Sequence, residues 1–138
     1  MTKTSDAVQG GCLCSWTRYR ITGLPLAQSI CHCRSCRRAA GAPSVAWIVI
    51  PATAFTFVSG EPTFFRSSTP VVRTFCPRCG TPLTYQHDKS PGTLDVTTAT
   101  LDDPDRFAPA CEIWLDDKIA WSALDPALPH YRRTRADG

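Results

Sequence analysis

Arg73-Thr74-Phe75-Cys76-Pro77-Arg78-Cys79-Gly80-Thr81-Pro82-Leu83 runs from one β-type segment into the next through two cysteines that bracket two residues. That spacer lets both sulfurs reach one metal ion, and the run has the form of a zinc knuckle. Gly80 permits the positive φ that turns backbone amides towards the sulfurs, where they offset thiolate charge. A knuckle between two β-type runs predicts a mostly β chain whose small sheets are joined at metal sites.

Working outward, two more clusters appear, Cys12-x-Cys14 and Cys31-x-Cys33-x-x-Cys36, so that seven of the eight cysteines are clustered. In a secreted chain eight cysteines would suggest a framework of disulfides, but such frameworks usually spread their cysteines out. The stretch Met1 to Gly11 is polar and has no apolar core of a signal peptide, so a reducing cytoplasm is the expected compartment and metal ligation the expected use. Cys111 stands apart and reads as a small buried apolar residue.

The remaining composition sets bounds. The chain has 138 residues, enough for one domain with a real core, and 43% hydrophobic with 20% charged residues is ordinary for a globular protein. No apolar run approaches the roughly 20 residues of a membrane helix. A formal net charge of +3 is too mild to argue for nucleic acid, and no basic and aromatic residues interleave as a stacking platform. Arginine concentrates at Arg34, Arg37 and Arg38, at Arg73 and Arg78, and at Arg132, Arg133 and Arg135; the last group reads as a solvated tail.

Branched and aromatic runs predict strands over Trp16–Thr22, Ser29–His32, Val45–Ile50, Phe55–Ser59, Thr63–Arg66, Val71–Phe75, Leu83–Gln86, Leu94–Thr98 and Glu112–Leu115. Arg34 to Ala40 can make one or two helical turns, stopped by Gly41 and Pro43, and Asp102-Asp103-Pro104 begins a brief turn near Phe107.

A one-residue spacer, as in Cys12 and Cys14, is tighter than a knuckle and needs a bending chain, for which Gly10 and Gly11 give freedom. Three thiolates at Cys31, Cys33 and Cys36 can hold one zinc and leave its fourth position open, the mark of a catalytic or ligand-binding site. Arg34, Arg37 and Arg38 can balance its charge or hold the carboxylates of an anionic substrate. His32 sits between two ligand candidates and is expected to point the other way, with Cys111 and Glu112 as further possible ligands. His87 and His130 read as surface histidines. Spacing alone leaves the pairing open: Cys12 and Cys14 can join Cys76 and Cys79, or Cys31 and Cys33.

The three clusters in this order, with Gly10-Gly11 before the first, Arg34 and Arg37-Arg38 beside the second and Ile113-Trp114, Trp121 and Leu128-Pro129-His130-Tyr131 closing the chain, resemble the glutathione-dependent formaldehyde-activating (GFA) family, which also includes a domain of centromere protein V. The resemblance covers about residues 9 to 131. It implies a β-tent fold of small antiparallel sheets around a structural zinc held by Cys12, Cys14, Cys76 and Cys79. It implies a second zinc at Cys31, Cys33 and Cys36, hence two ions per chain, where glutathione chemistry takes place. Two departures stand out: Ser15 where glycine is usual, and Glu112 where many members carry histidine. The expected activity is that of a carbon–sulfur lyase acting on a thiol–aldehyde adduct such as S-(hydroxymethyl)glutathione, with Glu112 as the proton acceptor and Arg37 or Arg38 on a carboxylate. The alternative is a module that binds a thiol, or another partner, without turnover.

Overall fold

The computed structural model describes residues 7–134. Ten strands and one helix follow one another as β1 (Val8–Gly11), β2 (Arg18–Ile21), β3 (Ala27–Cys31), α1 (Arg34–Ala40), β4 (Val45–Pro51), β5 (Phe55–Ser59), β6 (Thr63–Ser68), β7 (Val71–Phe75), β8 (Pro82–His87), β9 (Thr93–Thr97) and β10 (Cys111–Ile113) among the described residues. A three-stranded sheet is ordered β1-β2-β5, and a seven-stranded sheet is ordered β10-β3-β4-β9-β8-β7-β6. Every pairing is antiparallel except β10 with β3. The mostly β expectation holds, and no helix among the described residues is long and apolar enough to cross a membrane.

Alternation explains the packing of the small sheet. Tyr19 and Ile21 on β2 are buried while Arg20 between them is exposed, the signature of a half-buried strand. Tyr19 stacks on Phe55 with centroids 5.1 Å apart and meets the Thr100 hydroxyl at 2.7 Å. Strand β4 is covered on both faces, so Trp47, Ile48 and Ile50 are all buried. The larger core cluster joins Tyr19, Ile21, Ile48 and Ile50 to Leu83, Val96 and Leu101, and also to Cys12 and Cys76. The first cysteine cluster is therefore part of the core's wall.

The helix occupies the expected Arg34–Ala40. Cys33 is its N-cap, and Gly41 ends it in the left-handed region at φ 63°. Strand β1 was not expected: Val-Gln-Gly-Gly has little β propensity, and it is a strand because its four residues pair in register with β2. Strand β10 is shorter than expected because Trp114 adopts φ 60° and turns the chain out of the sheet.

Gly10 and Gly11 serve space rather than bending. Both lie inside β1 and neither has positive φ. A Cβ on Gly10 would strike the Tyr19 hydroxyl and stand 2.6 Å from the Thr100 carbonyl; one on Gly11 would stand 2.6 Å from the Thr17 carbonyl. The bend between Cys12 and Cys14 is instead completed at Ser15, at φ 69°.

Arg132 and Arg133 are solvated, as expected of the tail, yet the segment that carries them is paired. Backbone bonds from Glu112, Trp114, Leu115 and Asp116 to residues 129 to 133 lay that segment beside β10. Arg132 and Arg133 then meet the Asp116 carboxylate at 3.0 and 3.6 Å. Arg135 lies outside the described residues, as do Met1 to Asp6.

Candidate metal centres and the adjoining cleft

The loop after β1 carries Cys12 and Cys14, and the turn between β7 and β8 carries Cys76 and Cys79. Their four sulfurs lie within 4.8 Å of one another. A tetrahedral zinc with bonds of about 2.3 Å needs sulfurs about 3.8 Å apart. Here Cys12 and Cys14 are 3.6 Å apart and Cys14 and Cys76 3.8 Å. The surroundings also suit thiolates. The Thr17 amide donates to the Cys12 sulfur and the Arg78 amide to the Cys76 sulfur, each at 3.3 Å. Gly80 has the expected positive φ, 81°. Thr81 ties the two loops together, since its hydroxyl accepts from the Leu13 amide at 3.1 Å and stands 3.2 Å from the Cys79 sulfur. That hydroxyl contact leads the causes that pull the Cys79 thiol down to about 5.

The second cluster is made by a strand end running into a helix start. Cys31 closes β3, Cys33 caps α1 and Cys36 lies in the helix's first turn, their sulfurs again within 4.8 Å. The Cys36 amide donates to the Cys33 sulfur at 3.3 Å. Cys31 and Cys36 both hydrogen-bond to Cys33 as a thiolate, which with the nearby Arg73 cation pulls the Cys33 thiol down to about 2. The same bond to Cys33, together with the second to Cys36, pushes Cys31 well above the ordinary thiol range. Three crowded sulfurs thus share protons for want of positive charge, and a divalent cation relieves that competition. Among the described residues these two cysteine groups can each hold a metal ion, and all eight cysteines are free of disulfides. Cys12 and Cys14 meet Cys76 and Cys79, not Cys31 and Cys33.

His32 points away from the triad, as strand alternation requires. It is buried, and its Nε2 lies 2.7 Å from Glu112 Oε1. Glu112 is buried too, and its other oxygen accepts from the Asp125 amide at 2.6 Å. The structure therefore does not bring Glu112 to the sulfurs. The parallel pairing of β10 with β3 places it opposite Ile30, with its carboxylate on the His32 side. His130 is exposed, as expected of a surface histidine, and its ring meets the Asp125 carbonyl at 2.9 Å and stands 3.7 Å from Glu112 Oε2. Cys111 is buried, with its thiol 4.0 Å from the Gln28 carbonyl.

A cleft of about 680 Å³ opens beside the triad between α1 and the seven-stranded sheet, and Cys33 lines it. Arg34 and Arg38 reach it from the helix, and Arg73 from β7. Arg37 does not line this cleft; it borders a shallower groove with Pro43 and Trp121, which Arg38 shares. Arg73 is the functional candidate that sequence missed. It stands opposite Phe65 on β6 and Tyr85 on β8, and its guanidinium lies 5.0 Å from the centre of the Tyr85 ring. Val71, Thr74 and Phe75 of β7 line the cleft as well, and only the register with β6 and β8 shows which residues Arg73 faces. Trp47, Tyr85, Ile113 and Trp114 pack around the three cysteines and shield them from water.

The crystal structure of a Rhodobacter sphaeroides protein superposes on the chain with a TM-score of 0.60 at 18% identity, covering 88% of this chain and 98% of that one. At that identity the likeness speaks for the fold alone. A comparison with curated proteins finds no match. The model of the family described as glutathione-dependent formaldehyde-activating enzyme matches residues 7–117, so the chain belongs to the GFA family.

Proposed function

We propose that the chain makes and breaks a thiol–aldehyde adduct of the S-(hydroxymethyl)glutathione kind, as a carbon–sulfur lyase of the cytoplasm. In this reading zinc fills both cysteine clusters, two ions per chain, and the fold is a β-tent. The observation that carries it is the three-cysteine cluster, one ligand short of a tetrahedron, beside a cleft with three arginines. When bound at Cys31, Cys33 and Cys36, zinc would supply a Lewis-acidic centre that lowers the pKa of a substrate thiol.

The chain's own residues do the rest. Arg38, with Arg34 and Arg73, holds the carboxylates of the thiol substrate. Trp47 and Trp114 keep water from the reacting sulfur. Burial, together with the charge of Asp95, raises the Tyr85 phenol above its ordinary range, so its hydroxyl stays protonated and available to the aldehyde oxygen. Glu112 enters as a positioning residue that holds His32, and with it the chain between Cys31 and Cys33.

The test is exchange of formaldehyde with glutathione, followed by NMR on protein carrying its measured zinc. Acceleration over buffer that is lost in Cys33→Ser supports the reading. No acceleration with two ions bound removes it.

A further inference from the structure

We propose, resting on that reading, that the aldehyde partner carries an aromatic group, so that the ligand is an anionic thiol with an aromatic S-substituent rather than the one-carbon unit of formaldehyde. The cleft of about 680 Å³ lies well within the range that holds ligands of drug size. Its lining divides by chemistry. Arg34, Arg38 and Arg73 suit the carboxylates of the thiol, but a one-carbon adduct would meet only the Tyr85 hydroxyl and leave the ring surfaces of the aromatic wall uncovered.

That wall is built, not incidental. Strand register sets Phe65, Arg73 and Tyr85 side by side on one face of the sheet. Tyr85 packs against Trp47 with centroids 6.0 Å apart, and Trp114 lines the cleft with them. Phe65 is 58% exposed, an apolar ring left in water at the cleft on the sheet's outermost strand. An aromatic ring seated against Phe65 and Tyr85 removes apolar surface from water and gains ring–ring contact. The guanidinium of Arg73 between them is placed to hold a carboxylate on the same ligand.

The chemistry balances without an oxidant or reductant. The thiol sulfur attacks the aldehyde carbon and forms the C–S bond. The carbonyl π pair moves to oxygen, which takes up the proton the thiol releases. Breakdown of the adduct runs the same bonds backwards.

Binding reads the proposal apart from turnover. On the zinc-loaded protein, calorimetry with S-methyl-, S-hexyl- and S-benzylglutathione is expected to show the benzyl compound binding about tenfold more tightly than the methyl. Phe65→Ala, at an exposed position, is expected to cut that advantage to about threefold. Equal affinity for methyl and benzyl overturns the proposal, and hexyl binding as tightly as benzyl overturns its aromatic part. In exchange by NMR, phenylacetaldehyde with glutathione is expected to be accelerated more than formaldehyde. Acceleration of formaldehyde alone overturns this inference and leaves the lyase reading standing. Benzyl preference without exchange of either aldehyde removes the lyase reading while the ligand class stands.

Discussion

Glu112 Oε1 stands 2.7 Å from His32 Nε2, and both side chains are almost wholly buried. The contact joins residues 80 apart in sequence and fastens β10 to the strand that carries Cys31. Because the second carboxylate oxygen takes the Asp125 amide, one side chain also anchors the loop before the C-terminal segment.

Truncating that carboxylate leaves the buried His32 ring nitrogen and the Asp125 amide without this partner. Glu112→Ala is expected to destabilise the protein by about 3 kcal/mol. Glu112→Gln, whose amide oxygen still accepts one hydrogen bond, is expected to lose less. Denaturant unfolding of the two variants checks the order. A zinc count near that of the unmodified chain in Glu112→Gln would separate a positioning role from direct ligation.

Much of this site was legible before any coordinates. The Arg34–Ala40 helix, the Cys31, Cys33 and Cys36 cluster and the turn of His32 away from it follow from spacing, alternation and Gly41, all local signals. Spacing left open which cluster Cys12 and Cys14 join, and only the family resemblance implied Cys76 and Cys79. The placing of Glu112 was not local. Its neighbours are set by a parallel pairing with β3, and period-two reasoning cannot say which strand a three-residue run will join. Arg73 was hidden for the same reason: only the register with β6 and β8 shows that it faces Phe65 and Tyr85. Strand β1 and the true role of Gly10 and Gly11 depend on Tyr19 and Thr17 pressing close, which no window of sequence reveals.

The two cysteine clusters are expected to fail differently. Cys12 and Cys76 belong to the main core, whereas Cys31 and Cys36 share a small cluster with Trp47. Cys76→Ser is therefore expected to abolish cooperative folding, because metal binding at such a site is folding free energy. Cys36→Ser is expected to fold with about half the zinc of the unmodified chain, the remaining ion staying at the first cluster. Elemental analysis alongside thermal melting distinguishes the cases. Chelation should reproduce the first outcome in the unmodified protein.

Arg73 and Arg37 offer a paired test of the cleft. Arg73 lines it and Arg37 does not. Arg73→Leu is expected to raise the KM for a glutathione adduct about tenfold, as the loss of one charge-assisted hydrogen bond requires. Arg37→Leu should leave KM within about twofold, since Arg37 borders the neighbouring groove and does not line the cleft. Equal effects from the two would place the carboxylates elsewhere.

Acid should loosen the hairpin of β1 and β2 first. Arg18 grips Asp102 through both nitrogens, at 3.0 and 2.5 Å, and this hydrogen-bonded cation holds the Asp102 carboxyl below its ordinary value. A carboxyl lowered in the folded state contributes stability that is complete above its unfolded pKa, near 3.8, and is lost as pH falls through the folded one. Both groups are substantially solvated, so the contribution is about 0.5 kcal/mol. Asp102→Asn is expected to lower stability at pH 7 by that amount and to remove this part of the acid dependence below pH about 4. Urea midpoints at pH 7 and pH 3 for both proteins test the sign.

Ser15 is the last lever, and it follows from the departure of this chain from glycine. It completes the turn between the two sulfurs of Cys12 and Cys14 at φ 69°, a region costly for a residue with a Cβ. The Ser15 amide is held to the Cys12 carbonyl at 3.1 Å, so the turn has no freedom to relax away from that angle. Replacing Ser15 by glycine removes the steric cost, about 1 kcal/mol, while giving back part of it as chain entropy in the unfolded state. Ser15→Gly is therefore expected to raise stability by about 0.5 kcal/mol, and Ser15→Val, with a branched Cβ, to lower it by more than 1 kcal/mol. The zinc affinity of the first cluster should move in the same order, because Ser15 directly follows Cys14, whose sulfur stands 3.8 Å from that of Cys76. Competition with a chromogenic chelator reads that affinity directly, and a glycine variant that binds zinc more weakly than the serine parent would show that the strained turn is what brings the sulfurs together.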